Sequence, residues 1–337
     1  LPWACFIVAD SKEDLVQKLQ HTRKKPIKKA NQPPRLAFVF TGQGAQWSAM
    51  GRELLTTYPT FLRTIQETDK AIKSFGSFWS ILSSISIKSF KAKNLTGRAE
   101  ELKQDEEHSL INSAFVSQPV CTAIQLAFIE LFREWGIVPQ KVVGHSSGDI
   151  AAACAIGALT LESAMKVAYF RGLYSSLLRE YTVQVGGMLA ANISEADAND
   201  RICRLAPHLG KAVVACVNSP TSVTLSGDDL AIAELEAILT HEKIFVRRLK
   251  VNVAYYSHHM LAIAEDYRRS ISDITIVPST KRLPIEMIST VTGTSLREQN
   301  RGPEYFVQNM IACVSFSDAL QELFGEILCQ EFAAYRH

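Results

Sequence analysis

Gly144-His145-Ser146-Ser147-Gly148 follows a short apolar run and precedes a helical one. Glycines two residues either side of a serine permit a tight, strained turn that projects the hydroxyl. The helix beyond such a turn offers backbone N–H groups and the positive end of its dipole. The pattern is that of a nucleophile elbow with Ser146 as nucleophile, set against a merely structural glycine turn. A serine nucleophile needs an oxyanion hole and a base. One oxyanion donor is the N–H of Ser147, immediately after the nucleophile. The other is expected from Gly42-Gln43-Gly44, which also ends a strand and opens a helix. That turn lacks the Lys-Ser/Thr of a P-loop and the spacing of a dinucleotide fingerprint. The base is sought in Tyr255-Tyr256-Ser257-His258-His259, at the end of a strand-like run. In an extended segment successive side chains point to opposite faces, so only one of the two histidines can face Ser146.

The elements that must position these groups alternate short β-rich runs with longer helical ones beyond Arg35, an α/β layout. Strand Leu36 to Phe40 feeds the Gly42 turn and a helix from Ala45 towards Leu55. A helix from Pro119 to Trp135 leads to strand Lys141 to Val143 and the elbow. From about Thr182 to Lys250 the texture changes. Gly187 to Asn192, Ala212 to Val217, Ser222 to Ser226 and Phe245 to Lys250 read as short strands, with helices near Glu195 to Leu205 and Leu230 to Thr240. A β-α-β-β-α-β order is the ferredoxin-like signature, so this block reads as a small inserted subdomain. Before Arg35 a strand over Cys5 to Val8 and a helix over Ser11 to Leu19 are expected. A basic, proline-broken stretch from His21 to Arg35 follows and reads as a solvated linker.

At 337 residues the length suits roughly two domains of ~150 residues or one large one. Hydrophobic residues make up 47% and charged residues 21%, a globular composition that argues against disorder. Thirty-six basic residues against 34 acidic ones leave a net charge of +2, with no sign of a nucleic-acid-binding face. The run from Ser109 to Ile129 carries no charged residue or histidine and reaches bilayer length. Its Asn112, Gln118, Gln125 and central Pro119 argue against a membrane span. Asp10, Glu13 and Asp14 follow the first apolar residues too closely for a signal peptide. The seven cysteines form no Cys-x-x-Cys pair or metal-type cluster and read as small core hydrophobes in a reducing compartment. Leu1 in place of Met reads as a piece cut from a longer chain.

Four motifs stand in a telling order: Phe40-Thr41-Gly42-Gln43-Gly44-Ala45-Gln46-Trp47, Gly144-His145-Ser146-Ser147-Gly148, Tyr255 to His258, and Tyr305-Phe306-Val307-Gln308-Asn309. In these the chain resembles the acyltransferase domains of type I polyketide synthases, those of fungal highly reducing iterative synthases most of all. It is similar also to malonyl-CoA:acyl carrier protein transacylases. The resemblance spans about Leu36 to Leu320. It implies an α/β-hydrolase-like core over 36–181 and 251–337, a ferredoxin-like subdomain over 182–250, and a ketosynthase-linker remnant over 1–35. It implies Ser146 as acyl-accepting nucleophile, His258 as its base, Gln43 and Ser147 as oxyanion donors, and Asn309 as the group orienting the histidine. Arg171, 25 residues after Ser146, matches the arginine that pairs with the substrate's free carboxylate. The implied substrate is malonyl-CoA and the acceptor is the phosphopantetheine thiol of an acyl carrier protein domain. Neither bound cofactor nor metal is implied, and a ketosynthase would neighbour the domain in one cytoplasmic polypeptide. Tyr255-Tyr256-Ser257-His258 resembles the Tyr-Ala-Ser-His form linked to methylmalonyl use, whereas fungal synthases usually load malonyl.

Three departures accompany the resemblance. Asp149 stands where the family usually has Glu. Ser83 to Glu100 is extra and reads as a disordered loop or unspliced intron. The chain ends before the family's Glu-Ile-Gly-Pro-His strand. Two rival readings are a serine esterase or thioesterase, which needs Asp228 or Asp229 as acid partner of His258, and a non-catalytic scaffold piece.

Overall fold

The computed structural model describes residues 7–22, 35–47, 50–86, 113–182, 185–249, 251, 253–278 and 284–325. The chain divides into two compact units, residues 1–36 and 37–337. The first contains helix α1 (Lys12–Thr22), with Glu13 and Asp14 in its first turn, where the helix dipole favours negative charge. Asp14 also pairs with Lys18 one turn on. Ile7 and Val8 form no strand; Cys5, Phe6 and the basic residues 23–34 lie outside the described residues.

The second unit runs β1 (Ala37–Phe40), α2 (Arg52–Thr57), α3 (Pro59–Ser74), α4 (Ile81–Ser86), α5 (Ala114–Glu134), β2 (Lys141–Gly144), α6 (Gly148–Ala155), α7 (Leu161–Tyr181), β3 (Gly186–Ala191) and α8 (Glu195–Cys203). It continues through β4 (Ala212–Ser219), β5 (Ser222–Asp228), α9 (Asp229–His241), β6 (Val246–Arg248), α10 (Leu261–Ser270), β7 (Glu286–Ile288), α11 (Pro303–Ile311), β8 (Val314–Ser315) and α12 (Phe316–Phe324). The described residues form a mixed α/β fold with two sheets.

The first sheet is parallel, in the order β1-β2-β7, and sets Phe40 beside Gly144. Parallel neighbours need crossovers, which the intervening helices supply. Val142 and Val143 on the central strand are fully buried, as expected of a strand covered on both faces. The second sheet, β6-β3-β5-β4, is antiparallel, and β8 joins β4 in parallel at its edge. Residues 186–248 thus follow β-α-β-β-α-β and hold their own core of Leu189, Val223, Leu225, Ile232 and Leu235. The larger core gathers Phe61, Ile65, Ile72, Leu126, Ile150 and Met165 from the helices around the parallel sheet.

Several boundaries differ from the sequence expectation. The helix expected from Ala45 starts only at Arg52, after Gly51 at φ 80, and Pro59 opens a separate helix at its first position. α5 begins at Ala114 and carries Pro119 inside it, because buried Val116 before the proline continues the apolar face of buried Val120 and Ala123 after it. By length and composition α5 is able to cross a membrane, but 72% of its most apolar window is buried within the protein. Of the extra stretch 83–100, Ser83–Ser86 end α4, with Ile85 packed in the core. Residues 87–100 and those after 325 lie outside the described residues. Cys121 and Cys216 are buried free thiols, whereas Cys203 is exposed.

Candidate functional site

The elbow forms because three glycines let backbone approach backbone. A Cβ on Gly144 would sit 2.1 Å from the Asp149 nitrogen, and one on Gly148 would sit 2.2 Å from the Phe40 oxygen. A Cβ on Gly42 would meet the His145 oxygen at 2.7 Å and the Ser146 Oγ at 3.4 Å. The Gly42 turn therefore lies directly against Ser146, the place expected of it from the sequence. Ser146 itself has φ 60, the left-handed conformation that L-residues adopt at a cost. His145 donates its N–H to the Phe40 oxygen at 2.7 Å and ties the ends of β1 and β2 together. Its ring is bonded to Asn218, and burial holds its pKa below the ordinary value.

A cavity of about 480 Å³ opens at this point, lined among others by Gln43, Ser146, Ser147, Arg171, Tyr255 and Tyr256. Arg171, from α7, is 1% exposed. Its Nη1 donates to Asn309 Oδ1 at 2.5 Å, and its Nη2 to the Tyr256 hydroxyl at 3.2 Å and the Asn309 carbonyl at 3.4 Å. All three acceptors are neutral, and its buried Nε has no partner. Burying a cation without a counter-charge is costly.

Asn309 departs from its expected place. Its amide donates to the Ser146 carbonyl and to Asp149 Oδ2, both at 3.0 Å, and its oxygen serves Arg171. The side chain is spent on elbow and guanidinium and none of these bonds goes to a histidine. Asp149, noted in the sequence only as a shortened glutamate, proves to be the hub beneath the elbow. It is fully buried and accepts from the Gly144 N–H at 3.1 Å, Thr290 Oγ1 at 2.9 Å and the Tyr305 hydroxyl at 2.7 Å. Burial pushes its carboxyl from 3.8 up to about 6, against the pull of those donors.

The two histidines are not split between faces. Ser257 Oγ accepts the His259 N–H and starts a 3₁₀ turn, His258–Met260, in place of an extended run. Both rings consequently turn to Asp228 Oδ1, His259 Nε2 at 2.7 Å and His258 Nε2 at 3.3 Å. Burial pushes the Asp228 carboxyl up, but the Lys211 N–H and His259 outweigh it and hold it below its usual value. Burial lowers the His258 pKa, with Asp228 opposing. The ligand-type atoms of these three residues lie within 4.8 Å of one another, a spacing their direct hydrogen bonds explain without an ion. The esterase reading asked for Asp228 beside His258, and the structure has it; Asp229 instead pairs with Arg248. Among the described contacts, however, neither histidine touches Ser146.

The group on the Ser146 hydroxyl is Tyr256. It too has a left-handed backbone, at φ 61, and is buried. Burial raises its phenol pKa, and Arg171 partly opposes the shift. Sequence reasoning named Tyr256 only as a neighbour of the histidines, since a phenol is an unusual proton acceptor and nothing in its spacing marks it.

The family model described as "Acyl transferase domain" matches residues 37–330. The highly reducing polyketide synthase sdnO of Sordaria araneosa is 41% identical over 328 residues, 96% of this chain and 10% of that protein. The squalestatin tetraketide synthase of Phoma sp. (strain C2932) is 45% identical over 293 residues, 86% of this chain and again 10% of the relative. The chain thus spans about a tenth of the length of these curated relatives. Among solved structures, the acyltransferase domain from the second module of the salinomycin polyketide synthase superposes with a TM-score of 0.75 at 28% identity, covering 96% of this chain and 70% of that one.

Proposed function

Because this chain belongs to the acyl transferase domain family, and its relatives are polyketide synthases, we propose that it moves a malonyl group from coenzyme A to the phosphopantetheine thiol of an acyl carrier protein domain. Ser146 attacks the thioester, coenzyme A leaves, and the carrier thiol then takes the acyl group from the serine, a ping-pong course. The N–H groups of Ser147 and Gln43 receive the oxyanion. Arg171 grips the free carboxylate of the acyl group; charge-assisted contacts of this kind contribute about 1.5–3 kcal/mol each. The observation that carries the reading is Arg171, a buried guanidinium with only neutral partners, lining one cavity with Ser146. Asn309 positions that guanidinium and the elbow together. The base role expected of His258 finds no support in a contact with Ser146.

On the same reading, the parallel sheet with its elbow is an α/β-hydrolase-like core over 36–181 and 251–337. The strand order β6-β3-β5-β4 supports a ferredoxin-like subdomain over 182–250. Residues 1–35 are a linker from a ketosynthase in the same cytoplasmic polypeptide. Arg171 also separates transfer of a carboxylated acyl group from plain ester hydrolysis, although the His258–Asp228 contact fits a hydrolase.

Intact-mass spectrometry after prolonged exposure to malonyl-, methylmalonyl- and acetyl-CoA tests the assignment. One malonyl unit is expected on the wild type and none on Ser146→Ala. A label mapped to Cys154, or acetyl uptake equal to malonyl uptake, overturns it.

A further inference from the structure

The turn after β1 has little of its own to hold it still. Gly42 and Gly44 flank Gln43, and glycine leaves the backbone torsions free. Gly44 stands at φ 116, and a Cβ there would meet nothing within 4 Å, so that side of the turn is unconfined. An oxyanion donor works from a preorganised position, and a misplacement of ~1 Å costs on the order of 10²-fold in rate. Taking as ground the acyl-transfer reading, with the Gln43 N–H as an oxyanion donor, we propose that Gln118 and Gln125 of α5 are positioning residues. They hold the turn Thr41–Gln43 in place beside Ser146, and so set the rate of acyl transfer rather than the affinity for substrate.

Gln118 and Gln125 are seven residues apart, two helical turns, so they share one face of α5 about 10 Å apart along its axis. Both side chains donate to the turn. Gln125 Nε2 reaches the Thr41 carbonyl at 2.7 Å and the Thr41 hydroxyl at 3.4 Å, and Gln118 Nε2 reaches Gln43 Oε1 at 3.3 Å. Gln46 Oε1 accepts the Gly44 N–H at 2.7 Å and closes the far end. From the opposite side the elbow backbone presses on Gly42, where a Cβ would sit 2.7 Å from the His145 oxygen. The turn is thus gripped between the elbow and a single helix. That helix is a firm support, since Val120, Ala123 and Ala127 within it are fully buried.

Stability alone does not account for a glutamine at position 118. The residue is 2% exposed, and its Oε1 is buried with no partner among the described residues. A half-satisfied amide in a core is a net cost to the fold. The contact it makes among those described is the one to Gln43, and it lines the same cavity as Gln43 and Ser146. The turn matters most when the thioester carbonyl oxygen takes up negative charge during attack by Ser146. Loosening it therefore falls on the maximal rate and leaves binding of the uncharged ground state little changed.

The test is single-turnover modification of Ser146 in the whole chain by malonyl-CoA and by a fluorophosphonate, with Ser146→Ala as background. Both reagents develop negative charge on an oxygen that faces the same donors. Gln118→Leu removes the amide at similar bulk, and Gln125→Glu keeps the shape but replaces the donor with an acceptor. Each should lower the maximal rate by ~10- to 100-fold with both reagents. The half-saturating malonyl-CoA concentration should stay within about twofold and Tm within about 4 °C of wild type. Gln125→Lys restores an N–H donor and should bring the rate back to within about threefold of wild type. Gln43→Met keeps its backbone N–H and should cost about as much as Gln118→Leu, and the double variant no more than either. Gln125 is partly exposed, so its variants carry the test if Gln118→Leu does not fold. Unchanged rates, losses that add in the double variant, a rate loss matched by a fall in Tm, or a raised half-saturation at unchanged maximal rate would overturn the proposal. The two reagents separate it from the reading beneath it. Fluorophosphonate labelling slowed by the α5 variants in a chain that takes up no malonyl keeps the clamp and removes the malonyl reading; malonyl uptake on Ser146 indifferent to them does the reverse.

Discussion

The Ser146 elbow and the His258–His259 corner hold the same kinds of polar side chain and treat them differently. At the elbow, glycines bring the backbone of 40–42 and 144–149 into contact, and Asp149 and Asn309 tie β2, α6 and α11 together from beneath. The side chains that result are buried and strained, and they face a cavity. At the corner a serine-capped 3₁₀ turn swings two imidazoles onto one carboxylate, and His258 keeps a buried Nδ1 with no partner among the described residues. A histidine held through Nε2 alone keeps its other nitrogen for a further partner, as His258 does. Arg171 likewise keeps a buried Nε with no partner among the described residues, and its other bonds go to neutral groups.

The comparison breaks most readily at Arg171. If its cavity face awaits a substrate carboxylate, Arg171→Ala should lose malonyl transfer by roughly 2–4 kcal/mol, about 30- to 1000-fold in kcat/KM. Acetyl transfer should lose little or gain. The ratio of the two measures the effect, and an equal fall for both would make Arg171 a structural cation.

Asp149 gives the next effect, on stability. The folded chain holds its proton up to about 6 and the unfolded chain only to 3.8. Between those values the folded state binds more protons, so stability is greatest below the window, falls as pH rises through it, and is level above it. The span corresponds to about 3 kcal/mol. Denaturant unfolding of wild type and Asp149→Asn across this range should show the slope in the first and its loss in the second. Parallel curves would mean that the carboxylate is ionised throughout.

The smallest effect belongs to the corner. His259→Ala removes a buried partner of Asp228 and should cost about 1–3 kcal/mol of stability, read as a lower Tm, with acylation of Ser146 within about threefold of wild type. A large loss of acylation at unchanged Tm would move the histidine corner into the chemistry and erase the contrast.

What was legible in the residues follows the range of the forces involved. The elbow and the Gly42 turn depend on sterics within a few residues, so Gly42, Gly144 and Gly148 announced them. The strands around Met188, Val214 and Leu225 and helix α9 could be read from periodicity for the same reason. Strand β7 escaped notice: Glu286–Ile288 is too short to carry a period, and only its place beside β2 makes it a strand. β8, two residues long, is likewise created by its pairing with β4.

The sequence by itself determined that a serine would be thrown outward between a strand and a helix, and that a glycine turn would stand ready beside it. Which side chain meets that serine was decided only in three dimensions. Tyr256 and Ser146 are 110 residues apart, and whether position 256 or 258 arrives depends on a 3₁₀ turn capped by Ser257 and on one left-handed residue. A change of one backbone torsion rotates every side chain after it, while leaving the residue types that a sequence displays untouched. Asn309 makes the same point. Its amide suits a histidine, a guanidinium or a carboxylate equally well by type, and the packing of α11 against the elbow assigned it to the last two.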